Sequence, residues 1–246
     1  MIEYPVPGAT GGSAQAPALD ELRWTDVDPS WLLVLPLGST EQHGPYLPMG
    51  TDTTVACELA RRLVQHRPDA VLAPALAYGS AGEHDAFPGT LSIGQEALVL
   101  VLVELVRSAA FRRTVVVNAH GGNAAPVARA VNRLQQEGHD VLSFTPRIEG
   151  GDPHAGRTET SLLLATSPAL VAPGWQQAVP APAARAPLAT LLPALRAGRL
   201  REIAPDGVLG DPAAADAAHG EDLWRRLTAD LIAAAEDRWP LSGQLR

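Results

Sequence analysis

Short apolar runs alternate along the chain with longer helix-like segments. Runs that are apolar throughout indicate strands buried on both faces, and the segments between them indicate helices. Asp52 is placed to cap the first helix, and Ser92 to Gln95 has capping-box spacing at the head of the second. The predicted strands are 31–35, 70–75, 114–117 and 141–145. The predicted helices are 53–66, 92–110, 124–137, one beginning at Glu159, and 221–239.

This order of elements indicates an α/β fold, a three-layer αβα sandwich with a mainly parallel sheet. In such sheets the loops beyond the carboxyl ends of the strands form the functional site. Four loops should therefore converge on one edge of the sheet, at 38–52, 77–91, 118–123 and 146–159.

The 246 residues suit a single domain with a sizeable core. Residues 1–20 read as a flexible N-terminal arm. Residues 171–212 are rich in Ala, Pro and Leu, and we interpret them as a peripheral insertion or oligomer contact rather than a second domain.

Composition excludes several classes of protein. The net charge of −8 and the lack of a basic cluster argue against nucleic acid or an anionic membrane surface as a partner. The single cysteine, Cys57, excludes an internal disulfide and fits a cytoplasmic protein. No signal-peptide pattern is evident, and the apolar run 97–103 is too short to span a bilayer. The chain has no lysine, which excludes Schiff-base and P-loop lysine chemistry.

The first candidate site lies in the loop GSTEQHGPYLPMGTD, which contains two prolines. Glu41 and His43 point to the same side if this loop is extended, and Asp52 follows nine residues later. Imidazole and carboxylate groups are ligands of Zn, Mn or Fe. The alternative is a polar turn followed by a helix cap at Asp52.

The second candidate is NAHGGN, directly after a predicted strand, which places His120 at the functional edge of the sheet. A phosphate-binding loop is the competing interpretation, but the full GxGxxG spacing is missing. An oxyanion loop of a serine hydrolase would need a GxSxG nucleophile elbow, which this chain lacks.

Two further motifs contain ionisable residues. In HAGRTETS, one of His154 and Glu159 could be a ligand and the other an acid–base group, unless Thr158 and Glu159 simply begin a helix. In EHDAFPGT, Glu83 and His84 could contact substrate or support metal ligands, and a purely structural loop is the alternative.

Together, these four motifs resemble the creatininase family of metal-dependent amidohydrolases, over roughly residues 30–165 and more weakly at 206–212. The resemblance implies two divalent ions, Zn and/or Fe with Mn possible, and a ring-like homo-oligomer. It implies that His154 lies near the reacting amide and that Asp52 bridges the ions. The implied metal ligands are Glu41, His43, Asp52 and His120.

The chain departs from the family pattern at Gly122, where creatininases carry a Glu that binds the second metal. Glu159 is the candidate replacement, and this difference argues against creatinine as the substrate. Tyr46 stands where many relatives have His. The candidate substrate-binding or supporting residues are Glu83, His84, Asn118, Gly121, Gly122, Asn123 and Tyr46.

Among family members, the chain looks most like peptidases that remove a C-terminal dipeptide from a modified precursor peptide. The alternative enzyme is an amidohydrolase acting on a small cyclic amide or formamide. A non-catalytic, metal-stabilised subunit with a closed coordination shell and a nucleotide-binding module are the other possibilities.

Overall fold

The structure is a computed structural model that describes residues 17–182 and 186–241. The strands of its sheet are β1 (Leu32–Leu37), β2 (Ala70–Leu72), β3 (Arg113–Asn118) and β4 (Asp140–Phe144). They are parallel and lie in the order β2-β1-β3-β4. Leu32 of the first strand pairs with Ala70 on one side and Arg113 on the other, and Arg113 pairs with Asp140.

Helices cover both faces of this sheet. Because side chains alternate along a strand, Leu32 and Val34 of β1 face one apolar cluster while Leu33 and Leu35 face another. The helices of the described residues are α1 (Thr51–His66), α2 (Gly94–Ser108), α3 (Ala124–Gln136), α4 (Arg157–Thr166), α5 (Leu188–Arg196), α6 (Leu200–Ile203) and α7 (Ala217–Arg238). The first cluster includes residues of α1, α4 and α7, and the second includes residues of α2 and α3. The predicted three-layer αβα fold is confirmed.

Both predicted helix caps are wrong. Asp52 lies inside the first turn of α1, whose N-cap is Gly50, and its carboxylate faces imidazole rings. The hydroxyl of Ser92 accepts hydrogen bonds from the backbone of Ala81 and Gly94, so it joins the preceding loop to a helix that begins at Gly94.

The predicted second strand is too long. It ends at Leu72, although Ala73 still donates to the carbonyl of Val34 of β1 at 2.8 Å. The following backbone still reaches β1, since Leu76 donates to the carbonyl of Pro36 at 2.9 Å.

Most of the predicted N-terminal arm, residues 1–16, lies outside the described residues. The end of that segment contacts β2, because Pro17 accepts a hydrogen bond from Leu72 at 3.0 Å. Residues 171–212 contain α5 and α6, and Leu191 and Leu200 belong to a small separate apolar cluster with Leu209. The last part of this segment is not peripheral, since Val208 is packed into the main core.

Cys57 lies in α1, as predicted, and is half-buried. Burial, with a contribution from Glu58, raises the pKa of its thiol to about 11, which disfavours a nucleophilic thiolate. None of the helices in the described part of the chain is long and apolar enough to cross a membrane.

Candidate active site

The four predicted loops meet beyond the carboxyl ends of the strands. The loop after β1 is held in shape by a hydrogen bond from Glu41 to the carbonyl of Met49, at 3.0 Å. Gly44 adopts a φ of 65°, a conformation that favours glycine. This loop and the first turn of α1 place Glu41, His43 and Asp52 side by side, all buried.

Three imidazoles in this site have one ring nitrogen next to a backbone carbonyl. His43 Nδ1 is 3.1 Å from the carbonyl of Glu41. His120 Nε2 is 3.0 Å from that of Ser80, and His154 Nε2 is 2.8 Å from that of Gln42. A carbonyl can only accept, so each of these nitrogens carries the hydrogen. In the neutral form of each ring the other nitrogen is left with a lone pair, which is what a metal ligand or a proton acceptor requires.

The remaining nitrogens face carboxylates. His43 Nε2 lies 3.2 Å from Asp52 Oδ1 and 3.9 Å from Glu159 Oε1. His120 Nδ1 lies 3.3 Å from Asp52 Oδ2. His154 Nδ1 lies 3.9 Å from Glu41 Oε1.

Two groups of three side chains share one carboxylate. Glu41, Asp52 and His120 place ligand atoms within 4.8 Å of one another, and His43, Asp52 and Glu159 do the same. A third group joins Glu41, His43 and His154. Asp52 is common to the first two groups, which is the arrangement needed for a carboxylate that bridges two ions.

Unsatisfied carboxylate oxygens indicate that cations fit here. Both oxygens of Glu41 and Oδ2 of Asp52 are buried without a hydrogen-bond partner among the described residues. Ring nitrogens of His84 and His120 do lie 3.2 Å from the Glu41 oxygens, but not in hydrogen-bond geometry. Because an uncompensated buried carboxylate is costly, the donor set suits bound divalent cations.

Electrostatics within the site favour opposite charges on neighbouring groups. Although burial opposes charge on His43, the carboxylates of Asp52, Glu159 and Glu41 raise its pKa to about 10. Burial also opposes charge on His120, yet Glu41 and Asp52 raise its pKa well above the usual value. The pKa of Asp52 is lowered despite burial, because both imidazoles lie beside it.

Other site groups are shifted towards their neutral forms. Burial and the nearby imidazole of His43 lower the pKa of His154 to about 4. Burial, with three neighbouring imidazoles, also lowers the pKa of His84. Burial raises the pKa of Glu159 to about 7, against the opposing effect of His43.

Gly122 has no room for a side chain. A Cβ there would lie well inside van der Waals contact with Glu83 Oε1, His120 Nε2 and the carbonyl of Ser80. A carboxylate side chain at this position therefore cannot be accommodated, whereas Glu159 reaches His43 and Asp52 from the first turn of α4. The backbone N–H of Ala155 holds Glu159 Oε2 at 2.6 Å.

The predicted supporting residues fall into two groups. Glu83 and His84 touch the ligand cluster: Glu83 Oε1 is 3.6 Å from His120 Nε2, and His84 Nε2 is 3.2 Å from Glu41 Oε1. Asn118 and Asn123 are fully buried and join loops to one another. Asn123 accepts from Ser80 and donates to Gly38, which makes it a brace with no exposed surface for substrate.

The last two predicted residues lie at the edge of the site. Gly121 is exposed and begins the short 3-10 turn before α3. Tyr46 lies against residues 172–174, where its carbonyl accepts a hydrogen bond from Ala172 at 2.8 Å.

Sequence reasoning missed three parts of the site. The first is Gln42, which contacts His84 and His154. It was not predicted, even though it lies between the two predicted ligands of the first motif. Asp152 accepts backbone hydrogen bonds at the start of α4. Residues 207–209 complete the wall, since Leu209 pairs with His154 through two backbone hydrogen bonds. The weak similarity at 206–212 was the available signal.

An αβα sandwich with clustered carboxylates and imidazoles at the carboxyl edge of its sheet defines a metal-dependent hydrolase. Residues 20–235 match the creatininase family, described as creatinine amidohydrolase. The chain belongs to this family.

Comparisons with individual proteins agree. The chain is 47% identical over 212 residues to a mycofactocin precursor peptide peptidase of Mycobacterium tuberculosis, covering 81% of this chain and 82% of that protein. The corresponding peptidase of Mycolicibacterium smegmatis is 44% identical, with 84% and 83% covered. A solved structure described as creatininase Mn superposes with a TM-score of 0.74 at 25% identity, covering 90% of this chain and 98% of the other.

Proposed function

We propose that this protein is a metal-dependent peptidase of mycofactocin biosynthesis. It hydrolyses an amide bond near the C-terminus of a modified precursor peptide and releases a C-terminal dipeptide. The substrate follows from the relatives named mycofactocin precursor peptide peptidase, which are 44–47% identical over more than four-fifths of the chain. The observation that carries the chemistry is the shared carboxylate of Asp52.

The residues of the site would hold two divalent ions. Glu41, Asp52 and His120 would hold one, and His43, Asp52 and Glu159 would hold the other, with Asp52 common to both groups. Zn and/or Fe suit this mixture of imidazole and carboxylate ligands. Mn is also possible, and the similarity to a structure described as creatininase Mn supports it.

The reaction is amide hydrolysis by water. Two such ions, when bound, would supply a water of lowered pKa and polarisation of an amide carbonyl. His154 presents the unprotonated Nδ1 towards the cluster, and its pKa of about 4 keeps the ring neutral at pH 7. His154 accepts a proton from the attacking water and passes it to the leaving amine. Glu159 acts as a ligand, with its second oxygen held by Ala155.

The absence of space at position 122 disfavours creatinine as the substrate, because that wall of the pocket differs from the family pattern. We also propose that the 246 residues form one domain, that the protein is cytoplasmic, and that it assembles as a ring-like homo-oligomer. Sedimentation of the purified protein tests the assembly.

The test combines metal content with activity. Purified protein is analysed for bound metals and then incubated with a mycofactocin-type precursor peptide, and the released dipeptide is detected by mass. We expect two metals per chain and cleavage in the wild type. Glu159→Gln should retain about one metal and lose at least 100-fold in kcat/KM, about 2.7 kcal/mol of transition-state stabilisation. Glu221→Gln, at an exposed position of α7, is the matched control and should behave as the wild type.

The possible outcomes separate the alternatives. Two metals without peptide cleavage would favour a hydrolase acting on a small cyclic amide or formamide. Bound metals that do not exchange would favour a structural role. Protein that binds no metal even after reconstitution would overturn the proposal.

A further inference from the structure

The carboxamide of Gln42 has a defined orientation. Its Oε1 accepts a hydrogen bond from the backbone N–H of Gly44 at 2.9 Å, and its Nε2 donates to the carbonyl of Gly207 at 3.0 Å. A backbone N–H can only donate and a carbonyl can only accept. The two contacts therefore agree on which end is oxygen and which is nitrogen.

The two amide hydrogens can then be assigned. Besides the carbonyl of Gly207, two ring nitrogens lie near Nε2: His84 Nδ1 at 2.9 Å and His154 Nε2 at 3.0 Å. His154 Nε2 already carries a hydrogen, because the carbonyl of Gln42 itself is 2.8 Å away. It cannot accept another, so the second amide hydrogen goes to His84 Nδ1.

This assignment fixes the tautomer of His84. The ring is buried, and an imidazole whose Nδ1 accepts a hydrogen bond is neutral, with one hydrogen to place. With Nδ1 accepting from Gln42, the hydrogen must be on Nε2, the nitrogen that lies 3.2 Å from Glu41 Oε1. Glu41 therefore faces an N–H of His84 rather than a lone pair.

We infer that Gln42 is a positioning residue that keeps His84 in its Nε2–H form, so that an N–H rather than a lone pair faces Glu41 and the ring is not a further metal ligand. Four imidazoles surround the same carboxylates, those of His43, His84, His120 and His154. In their neutral forms, which are the forms that can bind a metal, three present lone pairs and one presents an N–H. Which metal ligands act here rests on the proposed function, whereas the tautomer assignment rests on the hydrogen bonds alone.

A Gln42→Glu substitution reverses the pattern with little change in shape. The carboxylate has no hydrogen to give, so His84 Nδ1 must donate to it, and His84 Nε2 is left with a lone pair in the neutral ring. Gln65→Glu, on the exposed surface of α1, is the matched control for the added charge. The probe is nitrogen NMR of zinc-loaded protein carrying ¹⁵N-labelled histidine, which distinguishes protonated from unprotonated ring nitrogens.

In the wild type and in Gln65→Glu we expect the hydrogen of His84 on Nε2 and that of His154 on Nε2. In Gln42→Glu the hydrogen of His84 should appear on Nδ1, and zinc affinity should fall roughly 10–100-fold, as is usual when a partner of a metal ligand is lost.

A wild-type His84 that carries its hydrogen on Nδ1 would overturn the inference without any variant being needed. So would a Gln42→Glu protein that folds and leaves the His84 tautomer unchanged. If the tautomers are as expected but no peptide is cleaved, the proposed substrate fails and the inference stands.

Discussion

A single glycine limits the geometry of the first candidate metal site. The backbone at Gly122 is so close to Glu83, His120 and Ser80 that one additional carbon would displace at least one of them. His120 is the group with the least freedom, because its Nε2 is tied to the carbonyl of Ser80 and its Nδ1 faces Asp52. The glycine therefore affects the site through the position of His120.

Gly122→Ala should weaken metal binding and also destabilise the fold. Overpacking of this kind costs about 1–3 kcal/mol, and the displacement of His120 should remove the first metal. The measurements are metal content and the free energy of unfolding in urea. The neighbouring Gly121→Ala is the control, because its Cβ would have no atom within 4 Å. Equal metal content in both variants would contradict the importance of this contact.

Residue types at the site were predictable from the sequence, but hydrogen positions were not. Glu41, His43, Asp52 and His120 stand out because carboxylates and imidazoles occur at the ends of apolar runs. Which nitrogen of each ring faces the cluster depends on carbonyls of Glu41, Ser80 and Gln42, which only the folded backbone brings near. The same reason explains why Gln42 was overlooked.

At the scale of elements, the start of α4 is fixed by Asp152. Its carboxylate accepts from the backbone N–H groups of Arg157 and Thr158 in the first turn, and from that of Asp211 in a separate segment at 3.2 Å. Gly156 and Gly210 lie so close to this carboxylate that neither could carry a side chain. Through these hydrogen bonds, Asp152 connects residues 152–158 to residues 210–211 and sets the direction of the helix that carries Glu159.

Asp152→Ala should lower both stability and the affinity for the second metal. Loss of a helix cap costs about 1 kcal/mol, and α4 then loses the anchor that directs Glu159. The matched control is Asp216→Ala, which removes the cap that accepts from His219 at 2.8 Å at the start of α7. Thermal unfolding and zinc titration should show a similar loss of stability in both variants, with weaker zinc binding only in Asp152→Ala. Weaker binding in both would refute a specific role.

The existence and order of the elements followed from the sequence more closely than their ends did. Apolar strands such as 114–117 were found because a buried parallel strand has few polar positions. The predicted caps at Asp52 and Ser92 failed because side chains that can cap a helix also bind other partners, and the local sequence does not reveal which partner is available. Here the partners are imidazoles for Asp52 and a neighbouring loop for Ser92.

On the scale of the whole molecule, the site depends on segments distant in sequence. The carbonyl of Gly207 accepts a hydrogen bond from Gln42, and the backbone of Leu209 pairs with that of His154. The Ala- and Pro-rich segment 171–212, which has few reactive side chains, therefore closes the site. Its Ala- and Pro-rich composition lacks a period that would predict where it packs. Gly207 and Leu209 make these contacts through backbone groups, which every residue type has, so the sequence does not reveal them.

Stability of the distal end of the molecule depends on Arg67, whose side chain is fully buried at the end of α1. It donates to the carbonyls of Ala235 and Trp239 and pairs with Asp69. Arg67→Met should cost about 2–3 kcal/mol in urea unfolding, because these buried carbonyls lose their donor. Metal content should not change, since Arg67 lies beyond the opposite ends of the strands. A loss of metal would show that the two ends are coupled.

Arg238→Met is the control for this experiment. Its guanidinium is half-exposed and pairs with Asp140 at 2.7 Å. Exposed ion pairs contribute little to stability, so the loss should be much smaller than for Arg67→Met. Similar losses in the two variants would mean that burial of Arg67 is not the cause.

Removal of metal should destabilise the entire fold, because the proposed ligands come from parts of the chain that are distant in sequence. Glu41, Asp52, His120 and Glu159 follow different strands or begin different helices, and two of these carboxylates have buried oxygens without partners among the described residues. Ions that bind only the native state stabilise it by mass action, about 2.7 kcal/mol at a concentration 100-fold above Kd. A chelator should therefore lower Tm, and added Zn²⁺ or Mn²⁺ should restore it in proportion to the logarithm of the metal concentration.

His43→Ala distinguishes this linkage from a general effect of the ions. This variant keeps Glu41, Asp52 and His120 for one ion but loses a ligand of the other, so its Tm should respond to metal less steeply than that of the wild type. His66→Ala, at an exposed position of α1, removes an imidazole from outside the site and should retain the full response. If all three proteins respond alike, the ions stabilise the fold from elsewhere, and the clustered carboxylates must tolerate burial by protonation instead.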